Sequence, residues 1–406
     1  MNPFRSLTAR GRIFLCVGLV IVVGALAVGE RDLLRIGVFV VLLPVVCALV
    51  MVRVPRGVTH TRELSPARIP VGGDCRVALT VVNTGRTTSP GSVLVEDRLP
   101  YALGDPPRFA LGRLRPGERR TVTYRLRSHM RGRYPVGPLT LHFVDPLGCA
   151  RFTREVGTGA TLLVTPAVVD LAGAVPRGDS AESGESRLRV SASAGDDDAV
   201  PRAYRHGDGM RRVHWRSTAR RGQLMVRREE QQWRDHSSIL LDVRSVAHAG
   251  QGTDSSLETA ITLAASIAVH LLKRGQELRF MAGKTEISPL HRGDQVLDAL
   301  AVLQTEPGTS LKEGTALVGQ STISGRGLLV AVVGALRTDE ARTLAACHGE
   351  RGNGRVVVFT PGAAWAAPEA ADRAREHLVQ AGWRVLEPSS ADELGALWSG
   401  LAAGVR

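Results

Sequence analysis

The apolar positions of the chain follow three different rhythms. Residues Ile13–Gly29 (IFLCVGLVIVVGALAVG) and Leu33–Val52 (LLRIGVFVVLLPVVCALVMV) are continuously apolar apart from Arg35. Each approaches the roughly 20 apolar residues that a helix needs to cross a bilayer. Glu30-Arg31-Asp32 between them leaves room only for a tight turn, so residues 1–55 are predicted to form a transmembrane helical hairpin. Beyond it the rhythm changes to short runs of period two: Cys75–Val82, Ser92–Arg98, Thr121–Arg127, Leu139–Val144 and Thr161–Thr165. Turn signals such as Asn83-Thr84-Gly85 and Arg115-Pro116-Gly117-Glu118 separate them. Such alternation predicts an antiparallel β-sandwich over residues 56–168. Two further phrases, Arg131-Gly132-Arg133-Tyr134-Pro135 and Asp145-Pro146-Leu147-Gly148, read as turns from their Gly and Pro content.

From residue 237 strands and amphipathic helices alternate. The strands are Ser238–Val243, Glu277–Met281, Gly327–Val333, Arg355–Thr360 and Trp383–Leu386. The helices are Leu257–Arg274, Gln295–Leu303, Thr338–His348, Pro368–Ala381 and Ala391–Leu401. Repeated βα units predict a mainly parallel sheet covered by helices on both faces over residues 237–406. Residues 169–200, small, polar and acid-tipped, read as a linker, and residues 201–236 as an Arg-rich segment of their own. The fold class is thus α/β plus all-β, behind an N-terminal hairpin.

Charge sets the topology. Arg5, Arg10 and Arg12 precede the first span and Arg53, Arg56, Arg62 and Arg68 follow the second, while the turn holds few cations. The positive-inside bias then puts both flanks, and the bulk of the chain, on the cytoplasmic side of the cell membrane. A signal peptide cleaved near Ala25-Leu26-Ala27 is the alternative, and it leaves the side of the body unchanged because the second span still returns the chain. The five cysteines show no CxxC and no zinc spacing, and a cytoplasmic body keeps them reduced. A Cys75–Cys149 disulfide would argue for the opposite topology. Over the 406 residues, Lys+Arg 52 against Asp+Glu 39 gives a net charge of +13, which favours acidic partners such as anionic lipid. Aromatic residues make up only 4%, which speaks against a stacking platform for nucleic acid.

The basic excess is densest in Pro201–Asp235, with ten Arg and four acidic residues. Asp208 is placed to cap a short helix that stops at Gly222, with Leu224–Arg228 as a following strand. Part of the Arg is expected to pair with Asp208, Glu229 and Glu230, and Trp215 to be a buried anchor. His214 has no second His or Cys at ligand spacing, so no metal is expected there. In the α/β region the first strand ends at Asp242, and ligands on such sheets sit at the carboxyl ends of strands. The sequence holds no GxxxxGK[ST], GxGxxG or GxSxG, and Cys347-His348 are adjacent and diverge on a helix. No nucleophile with its base, and no cofactor, is indicated.

Two long runs carry a resemblance: RGRYPVGPLTLHFVDPLG (Arg131–Gly148) and YRHGDGMRRVHWRSTARRGQLMVRREE (Tyr204–Glu230). With the hairpin, they make the chain resemble the membrane-anchored domain-of-unknown-function 58 (DUF 58) family in its actinobacterial style. The family motif matches Arg202, Tyr204, Gly207, Asp208, Arg212, Trp215, Ala219, Arg220, Leu224 and Val226; His214 and Thr218 lie within the same signature. The resemblance implies a C-terminal domain similar to a von Willebrand factor A domain. It also implies genomic association with MoxR-type AAA+ ATPases and transglutaminase-like membrane proteins. The expected role is a membrane-tethered, non-enzymatic adaptor or assembly factor acting with that ATPase, the signature serving as docking surface. The von Willebrand A metal site uses DxSxS, whereas this chain reads Asp242-Val243-Arg244-Ser245-Val246. Two hard-oxygen ligands are lost and a guanidinium competes for Asp242, so the site is expected to be degenerate, filled by a local pair. Thr253 and Asp254 are the remaining oxygen donors nearby in sequence. The alternatives are an enzyme whose site is not legible, with Asp208, His214 and Asp242 lining a pocket, or anionic-lipid or nucleic-acid binding by the Arg block.

Overall fold

A computed structural model describes residues 7–52, 57–89, 92–176, 201–204, 213, 215–227, 236–308, 310–319, 327–347 and 354–402. The chain divides into two compact units, Met1–Thr165 and Pro166–Arg406.

The first unit begins with helices α1 (Ala9–Val28) and α2 (Arg31–Val52), both long and apolar enough to cross a membrane. The Thr8 hydroxyl caps α1 by accepting from the Gly11 N–H at 3.2 Å. Gly29 ends it in the left-handed region at φ 80°, a conformation that Gly adopts without a Cβ clash. Since α1 ends at Val28 and α2 starts at Arg31, the turn is Gly29-Glu30, one residue shorter than the three-residue turn expected. The buried positions of α1 are Gly11, Gly18 and Ala25, seven residues apart on one face. A Cβ on Gly18 would lie 2.9 Å from the Val41 backbone nitrogen, and one on Gly37 2.9 Å from that of Val22. Small residues thus let the two backbones approach closely, the packing that lipid-embedded helices favour. The other faces expose Val20, Leu26, Phe39 and Leu49, as helices apolar all round do when lipid surrounds them.

Ten strands follow: β1 (Val58–Ser65), β2 (Arg68–Pro70), β3 (Asp74–Asn83), β4 (Ser92–Asp97), β5 (Arg108–Gly112), β6 (Arg119–Arg127), β7 (Gly132–Val136), β8 (Leu139–Val144), β9 (Arg151–Val156) and β10 (Ala160–Thr165). They form sheets of order β1-β3-β6, β5-β4-β8-β9 and β2-β10-β7, with every pair antiparallel except β2 with β10. Strand β3 shows why. Its period-two pattern turns Cys75, Val77, Leu79 and Val81 inward, all fully buried. Leu79 and Val81 pack with Val93, Val95, Leu139, Leu141 and Phe143, and Cys75 and Val77 with Ile69, Leu126, Val136, Leu162 and Val164. The phrase around Tyr134 was expected to be a turn; it is strand β7 instead. Pro135 is tolerated because β7 lies at a sheet edge, where a missing N–H breaks no ladder. Asp145–Gly148 is the turn expected, closed by the Gly148 N–H on the Asp145 carbonyl at 3.0 Å. The last turn of α2 enters this unit's core, with Cys47 and Met51 packed beside Leu79, Phe143 and Cys149.

In the second unit a two-stranded ribbon, β11 (Pro201–Ala203) with β12 (Met225–Arg227), flanks the short helix α3 (Trp215–Arg221). Then come β13 (His236–Leu241), α4 (Ser256–Lys273), β14 (Glu277–Ala282), β15 (Thr285–Leu290), α5 (Gly293–Ala301), α6 (Lys312–Gly319), β16 (Gly327–Val333), α7 (Thr338–Ala345), β17 (Gly354–Phe359), α8 (Pro368–Gln380), β18 (Arg384–Leu386) and α9 (Leu394–Ala402). The six-stranded sheet runs β15-β14-β13-β16-β17-β18, parallel except for edge strand β15. Two cores lie on its faces. One joins Ile239 and Leu241 to α4, α5 and α9; the other joins Leu240 to α7 and α8. Helix α4 is apolar enough for a span by composition, yet it is a core helix of this sheet. Residues ahead of the ribbon also pack here: Leu171 joins the core, and the Val169 N–H donates to Ser266 Oγ at 2.9 Å.

The α4–α9 contact carries a pH dependence. His270 is buried edge-on to Trp398, with ring centroids 5.9 Å apart. Burial, reinforced by Arg274 and Lys273 against the weaker opposing pull of the Leu171 backbone and Asp170, pushes its imidazole below the usual value. The unfolded chain therefore takes up a proton near pH ~6.5 that the folded one refuses. Stability is full above that pH and falls as pH drops through it. A His270→Gln variant should show a flatter melting-temperature profile between about pH 7.5 and 5.5 than the wild type.

Candidate functional site

The sheet order translates to 3-2-1-4-5-6 when its strands are numbered from β13. In such sheets the strand order reverses between the first and fourth strands, and the crevice at their carboxyl ends is where ligands bind. Here that point lies between β13 and β16. Asp242, the residue after β13, sits on it, with its N–H on the Val332 carbonyl at 2.9 Å. Asp242 has the parity of Leu240, so its side chain faces the α7 layer, and it is fully buried.

The crevice is filled by the chain itself. Arg244 folds back onto Asp242 in a two-pronged pair, Nε to Oδ1 at 2.9 Å and Nη2 to Oδ2 at 2.7 Å, and its backbone N–H adds a third bond to Oδ1 at 3.1 Å. The other end of the guanidinium, Nη1, pairs with Glu340 of α7, and Nη2 also reaches the Ala335 carbonyl at 3.4 Å. All three side chains are at most 5% exposed. Glu340 is held by the Arg337 N–H on its Oε2 at 2.8 Å. The guanidinium pays a desolvation penalty in this position, outweighed by its two carboxylates, which hold its pKa above the ordinary value. His248 props the loop from below, its Nε2 on the Asp242 carbonyl at 2.8 Å and its Nδ1 on Ser256 Oγ at 3.1 Å. A carbonyl only accepts, so Nε2 carries the proton.

A cation at this point would need oxygen donors that the geometry does not supply. Both oxygens of Asp242 are spent on Arg244. Val246 is exposed on a short 3₁₀ turn, and Thr253 and Asp254 are exposed on another, bonded to each other at 3.3 Å. The residues present fit a buried guanidinium bridge and not a Mg²⁺ ion, which demands near-ideal octahedral oxygen ligation.

The signature residues lie partly on the ribbon. The Tyr204 N–H donates to the Leu224 carbonyl at 2.8 Å, and the Met225 N–H to Thr218 Oγ1 at 3.0 Å, tying α3 to β12. Gly222, at φ 69°, closes α3 by its N–H on the Thr218 carbonyl. Arg216, Arg220 and Arg221 are exposed. Trp215 was expected to be a buried anchor; it is instead 67% exposed. Trp215 is the first residue of the two-turn helix α3, and at that open end the described residues of the ribbon leave its ring uncovered. Gly207, Asp208, Arg212 and His214 lie outside the described residues, as does the Asp208 cap. Sequence reasoning reached Asp242 and Arg244 but missed Glu340. The signal available was an acidic residue in the first turn of the helix after the fourth strand, the one adjacent to the switch point.

No curated protein matches the chain. Among solved structures, it is similar to the CARDB domain of a Pyrococcus furiosus protein in complex with di-metal ions: 19% identity, 27% of this chain and 87% of that one covered, TM-score 0.20. An alkylpurine DNA glycosylase of Pseudomonas fluorescens bound to DNA gives 15% identity, 33% and 39% coverage, and TM-score 0.19. A β-glucosidase of Listeria innocua in complex with glucose gives 17%, 25% and 16%, and 0.15. Likenesses this low decide nothing about fold or chemistry. Residues 201–358, from the ribbon into β17, match the family described as "Protein of unknown function DUF58".

Proposed function

We propose that the chain is a membrane-anchored adaptor or assembly factor with no catalysis of its own, acting with a MoxR-type AAA+ ATPase. The observation that carries this reading is the Arg244 bridge. The one crevice where a sheet of this order offers a ligand site is filled by a guanidinium already bonded to Asp242 and Glu340. The α/β unit is then a recognition scaffold of von Willebrand factor A-like type in which an internal ion pair stands where a metal-dependent relative holds its cation. Its 3-2-1-4-5-6 order, with an antiparallel edge strand, supports that assignment. The hairpin supplies the anchor, with the bulk of the chain cytoplasmic by the positive-inside bias.

The docking surface in this reading is α3, where an exposed Trp215 stands among Arg216, Arg220 and Arg221. Trp and Arg are the residue types that dominate binding energy at protein interfaces. The test is affinity capture of the full chain from mild-detergent membranes, wild type beside Trp215→Ala. Wild type should retain an AAA+ ATPase and the variant should lose at least ten-fold of it, since a hot-spot aromatic contributes about 2 kcal/mol or more. Equal capture by both would move the docking surface off α3, and capture of no ATPase by either would reject the partnership.

A further inference from the structure

The cysteines have no metal-ligand spacing in sequence, yet folding brings two of them together. We propose that Cys47, Asp145 and Cys149 form a binding site for a thiophilic divalent cation of the zinc type, fastening the end of α2 to the β strands of the first unit. The three ligand atoms all lie within 4.8 Å of one another, and all three residues are buried. Zinc bonds of about 2.0–2.3 Å place tetrahedral ligand atoms roughly 3.3–3.8 Å apart, so at most about 1.5 Å of closure is needed.

The carboxylate is held in place for this. Asp145 Oδ1 accepts the Ala150 N–H at 2.7 Å and Oδ2 the Leu147 N–H at 3.1 Å. Each oxygen keeps a lone pair, and ligating carboxylates are characteristically oriented by such bonds. The Cys149 backbone is fixed from the other helix, its carbonyl accepting the Thr8 N–H at 2.9 Å. The Cys149 sulfur contacts the Cys47 side chain and lies 3.9 Å from the Leu147 carbonyl oxygen. That carbonyl or a water completes the tetrahedron. Two thiolates and one carboxylate carry three negative charges. A divalent ion offsets two, and Arg10, near enough to act electrostatically on Cys149, offsets the third. Thiolate sulfur selects zinc and cadmium over magnesium, calcium and manganese. Burial raises the Cys149 thiol above its ordinary pKa, so this sulfur carries its proton before a metal binds. Binding then releases two protons to solvent as two S–H bonds are replaced by two S–metal bonds, with no redox change.

The probe is Cd²⁺, titrated into the full chain in detergent under reducing conditions and followed by the sulfur-to-cadmium charge-transfer absorption. One equivalent should saturate the band, and Zn²⁺ should displace it. Cys47→Ser and Cys149→Ser should each weaken binding at least 100-fold, while Cys75→Ser and Cys347→Ser, in other cores, should leave it unchanged. The two site variants are made separately, with circular dichroism as the folding control, so that a misfolded one leaves the other as the test. No saturable band, or a band that survives both site substitutions, overturns the proposal. So does a Cys47–Cys149 disulfide in chain isolated with its thiols blocked.

Discussion

Replacing Arg244 by Ala should destabilise the α/β unit by about 3–5 kcal/mol, a large part of the roughly 5–15 kcal/mol that holds a domain together. The size follows from what is left behind. Asp242 is fully buried and Glu340 nearly so, and each has its main cationic partner in the same guanidinium. Without it two carboxylates face one dry space, with only the exposed Arg337 near Glu340, at 3.6 Å. Removing all three charges together is a different experiment. A triple variant, Arg244→Met with Asp242→Asn and Glu340→Gln, should recover most of the loss, because a buried ion pair barely repays its own desolvation. Thermal unfolding of the second unit reads both, with a drop of about 2–4 °C per kcal/mol for a unit of this size. An Arg244→Ala chain that melts like wild type would mean that the bridge is not formed.

The second large effect belongs to the first unit. Asp97, fully buried on β4, takes Arg62 Nη2 at 2.6 Å, Arg62 Nε at 3.1 Å and the Tyr124 hydroxyl at 2.5 Å. The Arg62 side chain is itself 2% exposed. Asp97→Ala strands that guanidinium with the Thr158 carbonyl, 3.2 Å from Nη1, as its remaining acceptor among these bonds. The expected cost is about 3–5 kcal/mol. Tyr124→Phe removes one bond to the same carboxylate and should cost about 1.5–3 kcal/mol, the worth of a hydrogen bond to a charged group. Burial, then Asp97 itself, pushes the Tyr124 phenol far above its ordinary pKa, so it remains a donor at any working pH. Hydrogen exchange of the β3 and β4 amides should show this ranking. Equal effects from the two substitutions would contradict it.

Where the sequence was legible and where it was not has a physical pattern. Leu139–Val144 and Gly327–Val333 were readable to the residue, because one alternates cleanly and the other is apolar throughout. Strands β7 and β15 were not: both lie at sheet edges and contain a proline, Pro135 and Pro289, which reads as a breaker until the edge is known. Helix α6, with Gly314 and Gly319 in eight residues, carries too weak a pattern to stand out. At the candidate site Asp242 and Arg244 were visible because they are two residues apart at a strand end. Glu340 was missed because its nearness to them is set by sheet order, and its one local mark, an acidic residue in the first turn of α7, gains meaning only once that order is known. Trp215 was misread because an aromatic on a short helix carries no information about which side the ribbon covers.

The central claim is that the switch-point crevice is closed by arginine and works without a cation. The most direct measurement is a Mn²⁺ titration of the full chain in detergent, followed by loss of the free-ion paramagnetic resonance signal, wild type beside Asp242→Asn. Manganese prefers oxygen ligands, so the thiol site does not interfere. The account predicts that wild type and variant leave the same free Mn²⁺ at every point of the titration. Saturable binding of one ion per wild-type chain, abolished by Asp242→Asn, would contradict it.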